Sequence, residues 1–461
     1  MSVNDLAFLT IAELAPKIKS REVSPVEVTR AILDRIEKYD SKLRSYITPL
    51  PERAMGAAYA AEKAISSGVY LGPLHGVPIA LKDLFDTEGI RTTAGSESRK
   101  DFVPDRTATA AARLAEAGTI LLGKLNMMEF AYGGSGVNPY FGTARTPWDV
   151  SRVAGGSSSG SGAAVAAGLA TAALGTDTGG SVRIPASLCG IVGLKPTYGR
   201  VSTFGVVPLS WTLDSVGPMT RCVEDAAIMF KAIVGPGSHD PTTLHQPPFE
   251  IPPLTGDVRG VRLGVPKEWF YDDLDPDVAK AVPEAINMLA KIGASTIEVE
   301  MPQLSDEAIR RSTIVPAEAF TYHEEVLSQR PEEFGPVVRG RIEAGRGVTA
   351  TQYIRALQAR QRLMREVESK MAHIDALVTP TTRVPSLRVE ESEEKMTRLL
   401  HNTWPVNWMG LSAITVPCGF TSGGLPVGLQ IIGKPYDEGT ILQIAYAYER
   451  HTDWYRRRPL L

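Results

Sequence analysis

The first strong periodic pattern in the chain follows Ser24-Pro25-Val26-Glu27. A capping serine, a proline at the first helical position and a glutamate three residues after the serine mark a helix start. Val28, Ile32, Ile36 and Tyr39 then follow at helical spacing. A second helix is predicted over Pro51 to Ser67 and ends at Gly68. From about Tyr70 to Gly205 the pattern changes. Short apolar runs of strand type, Val77 to Leu81 and Thr119 to Leu122, alternate with helical stretches such as Thr107 to Ala117. Farther along, Val261 to Val265, Ala376 to Val378 and Pro426 to Ile432 read as strands. Pro276 to Ile292, Thr351 to Met371 and Glu438 to Arg450 read as helices. This alternation predicts an α/β layout around a largely buried sheet. Strands near both ends imply that the C-terminal part completes the same sheet. The proline-rich connection from Gly235 to Pro253 is the best candidate for an internal boundary.

Composition changes this picture little. Of 461 residues, 43% are hydrophobic and 22% charged, as in ordinary globular proteins. Cys189, Cys222 and Cys418 are too scattered for a disulfide framework or a metal cluster and read as buried thiols. A net charge of −3 and the lack of a long basic tract argue against nucleic acid; Arg456 to Arg458 read as a solvated end. The longest apolar stretch, Ala163 to Leu174, is a closely packed helical run, well short of the ~20 residues a membrane span needs. The N-terminal residues lack the order of a signal peptide. The expectation is a cytoplasmic protein with no membrane or nucleic-acid partner.

The chemistry lies in two glycine-serine runs. Gly155 to Gly162 reads GGSSSGSG, and Gly175 to Pro185 reads GTDTGGSVRIP. An alanine-rich stretch separates them, so they are held turns and not a polar linker. Glycines let successive N–H groups converge on an anion. A phosphate loop would continue with Lys-Ser or Lys-Thr, whereas Gly162 is followed by Ala163 and Ala164, and Asp177 would repel a phosphate. Ser181, directly after Gly179 and Gly180, has the setting of an acyl-transfer nucleophile. Gly156 to Gly160 also matches the G-x-S-x-G elbow centred on Ser158. The preceding PWDVSRVA makes a poor strand, and His323, His373, His401 and His451 have no distinctive setting as a base. Lys82 ends the apolar run from Val77. Either its stem is buried and its head reaches water, or burial lowers its pKa toward ~7–8, where a neutral amine takes a proton.

Three segments together, GVPIALKD, GGSSSGSG and GTDTGGSVRIP, resemble the amidase signature family. The spacings agree: 75 residues from Lys82 to Ser157 and 24 from Ser157 to Ser181. The likeness extends through Gly123-Lys124-Leu125-Asn126, Lys195 to Arg200, Thr379-Pro380-Thr381 and Gly424 to Gln430. It is weakest from Gly235 to Ala372. The resemblance implies one large domain with a central mixed, twisted sheet covered by helices on both faces. Within it lie a catalytic core over about 70–235, a more helical insert over about 236–372, and residues 373–461 completing the sheet. It implies Ser181 as nucleophile, Ser157 as a bridging serine after a cis peptide bond, and Lys82 as ultimate base. The N–H groups of Thr178, Gly179, Gly180 and Ser181 would form the oxyanion hole. Asp177 and Arg183 would support the loop, and Ser158 would either brace Lys82 or serve only as turn polarity; Asn126 matches a family motif, but as a polar residue at a turn it reads as serving the backbone. Tyr132, Phe204, Trp211 and Trp404 are candidates for an apolar substrate pocket.

The implied activity is hydrolysis of an amide, with ester, anilide, carbamate or urethane bonds as close relatives, through an acyl-enzyme and without metal or cofactor. The expected partner is a small-molecule substrate, with a homodimer as the default assembly. Pro208 to Pro218, PLSWTLDSVGP, resembles the stand-alone hydrolases more than the A subunit of glutamyl-tRNA amidotransferase. The alternatives are that amidotransferase component and a catalytically inactive binding or scaffold member of the family.

Overall fold

Ser24 caps the first long helix as its sequence predicts. Its hydroxyl accepts the Val26 N–H at 2.9 Å, and Glu27 reaches back to the Ser24 N–H, starting α1 (Pro25–Leu43). The computed structural model describes residues 3–302, 304 and 313–461. Eleven strands form one mixed sheet. In chain order they are β1 (Tyr46–Pro49), β2 (Pro78–Lys82), β3 (Ile120–Leu125), β4 (Ala172–Asp177), β5 (Val192–Lys195) and β6 (Ser215–Thr220), then β7 (Arg262–Pro266), β8 (Ser295–Val299), β9 (Ala376–Pro380), β10 (Ser412–Phe420) and β11 (Pro426–Gly433). Their spatial order is β1-β3-β2-β4-β6-β5-β10-β11-β9-β7-β8, so strands from the middle and end of the chain extend the same sheet. Helices cover both faces, which is why β2, β4, β5 and β6 are buried at every position.

The run predicted as helical from Ala163 to Leu174 divides in two. α2 (Ser159–Ala166) ends before Gly168, whose φ of 67° is left-handed, and the chain then enters β4 at Ala172. Alanine fits both halves. β4 lies between β2 and β6, where a small side chain lets the covering layers approach. This division places the site. β2 and β4 run parallel, with Leu81 level with Leu174, so Lys82 and Thr176 emerge at the same, C-terminal end of adjacent strands. Crevices outside the carboxyl ends of strands are where α/β sheets place their chemistry. The second glycine-rich turn continues from β4 at that end and leads into α3 (Arg183–Cys189). The wall opposite is built by α4 (Ile314–Gln329), α5 (Pro336–Glu343) and α6 (Trp404–Trp408).

Candidate active site

Lys82 is fully buried. Its Nζ donates to Ser157 Oγ at 2.7 Å and to Thr176 Oγ1 at 2.8 Å. Burial pulls its pKa down from the ordinary lysine range to about 7, against the raising influence of Asp214 and Asp177. The head therefore does not reach water. Ser157 follows a cis peptide bond with Gly156, and its carbonyl accepts the Met128 N–H at 3.1 Å. The Ser158 N–H donates to the Ser181 carbonyl at 3.2 Å, tying the two glycine-serine turns together. Gly160 is required by packing: a Cβ there would lie 2.2 Å from the Ser45 carbonyl oxygen.

The turn carrying Ser181 is organised by Asp177. One carboxylate oxygen accepts the Gly180 N–H at 2.8 Å, and the other accepts the Val182 N–H at 3.2 Å. Arg183 grips the same carboxylate and donates onward to Gln430 Oε1 and Asn407 Oδ1 at 2.7 and 2.6 Å. Burial alone would push the Asp177 carboxyl up; the Arg183 guanidinium holds it well below the usual carboxylate range. Asn407 closes the cluster by donating to the Asp177 carbonyl and carboxylate at 3.0 Å each. Asn407 is not conspicuous in the sequence, because it lies in an otherwise apolar run, and Gln430, although it ends the Gly424–Gln430 likeness, carries no sign there of its Arg183 partner.

Gly180 departs from the expected oxyanion set. Its N–H is already given to Asp177, because that bond holds the turn. Among the described residues, the N–H groups of Thr178, Gly179 and Ser181 have no such partner and remain available for an anion. Ser158 also differs from expectation. Its hydroxyl bonds the Thr176 carbonyl and N–H, each at 3.3 Å, so it acts on Lys82 only through Thr176. His323 is buried against Phe130 and Phe334 and offers no base for an elbow at Ser158. Asn126 donates to the carbonyls of Arg44 and Gly142, a backbone role.

Ser181 opens onto a cavity of about 240 Å³ walled by Tyr132, Leu209, Val315, Leu400, Trp404 and Trp408. Arg341 also lines it, but one end of its guanidinium bonds the Tyr132 carbonyl at 2.6 Å and the other pairs with Glu393. Of the four predicted pocket aromatics, Tyr132 and Trp404 lie here. Phe204 and Trp211 do not: they line a separate cavity of about 380 Å³, where Phe204 stacks on His239 and Trp211 is exposed. Trp211 sits at the tip of the Pro208–Asp214 loop, which sends Leu209 into the Ser181 cavity instead.

The Amidase family model matches residues 27–442. The chain belongs to the amidase family. It is an amidase-family hydrolase acting on carbon–nitrogen bonds. The A subunit of the glutamyl-tRNA(Gln) amidotransferase of Geobacter sp. (strain M21) is 43% identical, over 98% of this chain and 99% of that protein. The native peptide amidase of Stenotrophomonas maltophilia superposes with a TM-score of 0.85 at 32% identity, over 98% of each chain. A protein solved in a study of a vestigial complex and the origins of an s-triazine catabolic enzyme gives a TM-score of 0.90 at 33% identity, over 98% of this chain and all of that one.

These relatives overturn one expectation about this amidase-family chain, that of a small-molecule substrate alone, handled by a single chain or homodimer without nucleic acid. The similarity to proteins named as a component of a tRNA amidotransferase extends over nearly the whole chain. The short stretch PLSWTLDSVGP was too local a guide. The missing basic tract was also a weak argument, because one component of an assembly can leave nucleic-acid contact to its companions. Among the described residues, no helix is long and apolar enough to cross a membrane.

Proposed function

We propose that this chain cleaves a carboxylic amide at Ser181 through an acyl-enzyme. The observation that carries the reading is the 2.7 Å contact between buried Lys82 and Ser157, beside a serine that opens onto a cavity. Neutral Lys82 takes the Ser157 proton as Ser157 takes that of Ser181. Ser181 Oγ attacks the carbonyl carbon. The N–H groups of Thr178, Gly179 and Ser181 hold the oxyanion, each contributing roughly 10²–10³ in rate. The relay reverses to protonate the leaving nitrogen, and water then releases the acyl group by the same route. Asp177 and Arg183 keep the turn in shape. Treatment with a fluorophosphonate followed by peptide mass spectrometry should place the label on Ser181. Label on Ser158, or a Ser181→Ala variant that still hydrolyses amides, would remove the reading.

The biological setting has two readings. The 43% identity to A subunits of glutamyl-tRNA(Gln) amidotransferase, end to end, supports a role as the component that releases amide nitrogen for transfer within such an assembly. The composition of the cavity favours the other, hydrolysis of neutral, apolar amides by the chain itself, whether or not companion subunits are bound. Its described lining is mainly aliphatic and aromatic, and its one cation, Arg341, is already paired. The purified chain, assayed alone on anilides, aliphatic amides, amino-acid amides, esters and carbamates, separates them. Turnover of apolar amides by the single chain supports the second. Turnover only beside companion subunits and glutamyl-tRNA supports the first.

A further inference from the structure

The Pro208–Asp214 loop joins the two halves of the site through one carboxylate. Asp214 is buried, and one of its oxygens accepts the Thr178 hydroxyl at 2.5 Å. Its other oxygen accepts the N–H groups of Leu209 and Ser210 at 2.9 and 3.1 Å. Thr178 belongs to the oxyanion turn and Leu209 to the cavity wall. The loop is fastened from outside by Glu318 on α4, which accepts the Ser210 hydroxyl and the Tyr353 hydroxyl. Ser215 on β6 pairs with Asp177 on β4, next to the Thr176 whose hydroxyl holds Lys82, so the Asp214 carboxylate lies close enough to raise the proton affinity of the Lys82 amine.

We propose that Asp214 is a positioning residue of the amide-cleaving site: it fixes the Thr178 hydroxyl and the Leu209 backbone to a single carboxylate, and its charge acts on the Lys82 amine. The inference rests on the reading of Ser181 as nucleophile. Asp214 accepts three hydrogen bonds; an asparagine can still accept the two backbone N–H groups through its one oxygen, but its NH2 meets the Thr178 hydroxyl as a donor, so that bond must reverse. Burial, with Glu318 adding to the rise, pushes its carboxyl up to about 6, while the hydrogen bonds it accepts from Thr178, Ser210 and Leu209 favour the ionised form. The other charged groups around this pair are Asp177 beside Lys82, Arg183 and Lys195 facing Asp177, and Arg360 facing Glu318. Asp214 is thus the carboxylate near Lys82 that has no cation of its own among the described ion pairs, whereas Asp177 is neutralised by Arg183.

The test is the pH profile of kcat/KM in Asp214→Asn, Thr178→Val and the double variant. Removing the negative charge lowers the proton affinity of Lys82, so the acid limb in Asp214→Asn should move to lower pH by half a unit or more. Turnover at the plateau should fall at least tenfold, because the oxyanion turn loosens. Thr178→Val should reproduce the fall in kcat with the limb unmoved, and Thr178→Ser should restore it. The double variant should be no worse in kcat than Asp214→Asn. A parental limb and parental kcat in Asp214→Asn overturn the proposal, as do effects that multiply in the double variant. Should Asp214→Asn not fold, the Thr178 pair decides: parental activity in Thr178→Val is then fatal. Fluorophosphonate labelling of the parent separates the two levels. An unlabelled Ser181 sinks the nucleophile reading, whereas a labelled Ser181 with an indifferent Asp214→Asn sinks only this inference.

Discussion

The Arg183 guanidinium grips the Asp177 carboxylate through Nε at 3.0 Å and Nη2 at 2.9 Å, with neither side chain exposed. The pair lies one turn of chain from Ser181 and holds Gly180 and Val182 in place by backbone bonds to the same carboxylate. A buried bidentate pair of this kind is costly to break from one side. Arg183→Met should destabilise the chain by about 3–5 kcal/mol in denaturant unfolding. The sign of its pH dependence follows from the depressed Asp177 carboxyl. In the parent its stabilisation is present above the ordinary carboxylate range and is lost only as pH falls through the lower folded value. In the variant the carboxylate is buried without its cation, so the deficit should be widest near neutrality and should narrow as acid protonates Asp177. A deficit that grows toward low pH would contradict this account.

Lys82 gives a prediction for both rate and stability. Its folded pKa of about 7 lies below the ordinary lysine value because it is buried. The amine must be neutral to accept the Ser157 proton, so kcat/KM should rise with pH through about 7 and Lys82→Met should lose turnover. Between about 7 and the unfolded value near 10.4 the unfolded state holds the extra proton, so the parent gains stability as pH rises through that window. Lys82→Met lacks this group. Melting temperatures should therefore show the variant at least as stable as the parent near pH 7, with the parent gaining on it toward pH 10. An active Lys82→Met, or parallel melting curves across the window, would remove the buried neutral amine from the picture.

Ser157, Ser158 and Ser181 should behave differently although all three are buried. Ser181→Ala and Ser157→Ala interrupt the relay, and their turnover should fall by several orders of magnitude. Ser158→Ala removes two 3.3 Å bonds to the Thr176 backbone. It should cost about 1 kcal/mol of stability and less than tenfold in kcat, because Lys82 keeps its own bond to the Thr176 hydroxyl. Steady-state assays beside thermal melts separate Ser158 from the other two. A Ser158→Ala as damaged as Ser181→Ala would revive the elbow centred on Ser158.

How much of this was legible in the sequence follows from where each element takes its instructions. α1 declared itself through Ser24, Pro25 and Glu27, which are local signals, and most long helices did the same. The division of the Ala163–Leu174 run did not, because alanine serves helix and sheet alike and only the place of β4 between β2 and β6 decides. β5, β6 and β10 escaped notice for a related reason: strands buried on both faces lack the alternation that marks a half-exposed one. Lys82, Ser157 and Ser181 stood out through motif and spacing. Asn407 did not, and Thr176, Asp214 and Gln430, although they lie inside family-like stretches, gave no sign of their partners, since these residues act through contacts between segments up to 247 residues apart. The same limit misplaced Phe204 and Trp211. Aromatic character suggests a pocket, but the loop turned Leu209 inward and left Trp211 55% exposed.

The adjacent glycines of the oxyanion turn give the sharpest contrast. A Cβ on Gly180 would lie 2.1 Å from Thr403 Oγ1 and 2.6 Å from Thr403 Cβ, and its φ of 127° disfavours any side chain. Thr403 cannot easily yield, because its hydroxyl donates to the Gly179 carbonyl at 2.7 Å, with the Leu400 carbonyl the alternative acceptor at 3.1 Å. A Cβ on Gly179 would meet nothing nearer than Trp404 Cβ at 3.6 Å, an ordinary contact, and its φ is outside the left-handed region. Gly180→Ala should therefore displace the whole turn, with the Gly180–Asp177 bond and the alignment of the Thr178, Gly179 and Ser181 N–H groups going together. The loss in kcat/KM should exceed the ~10²–10³ attached to a single donor. Gly179→Ala should fold normally and stay within about tenfold of the parent, with its effect in KM because the new methyl faces the mouth of the cavity beside Trp404. Thr403→Ala would relieve part of the clash in Gly180→Ala, so the double variant should recover some turnover. Equal losses at the two glycines would show that the turn tolerates no side chain at all and that the Thr403 contact is not what sets its shape.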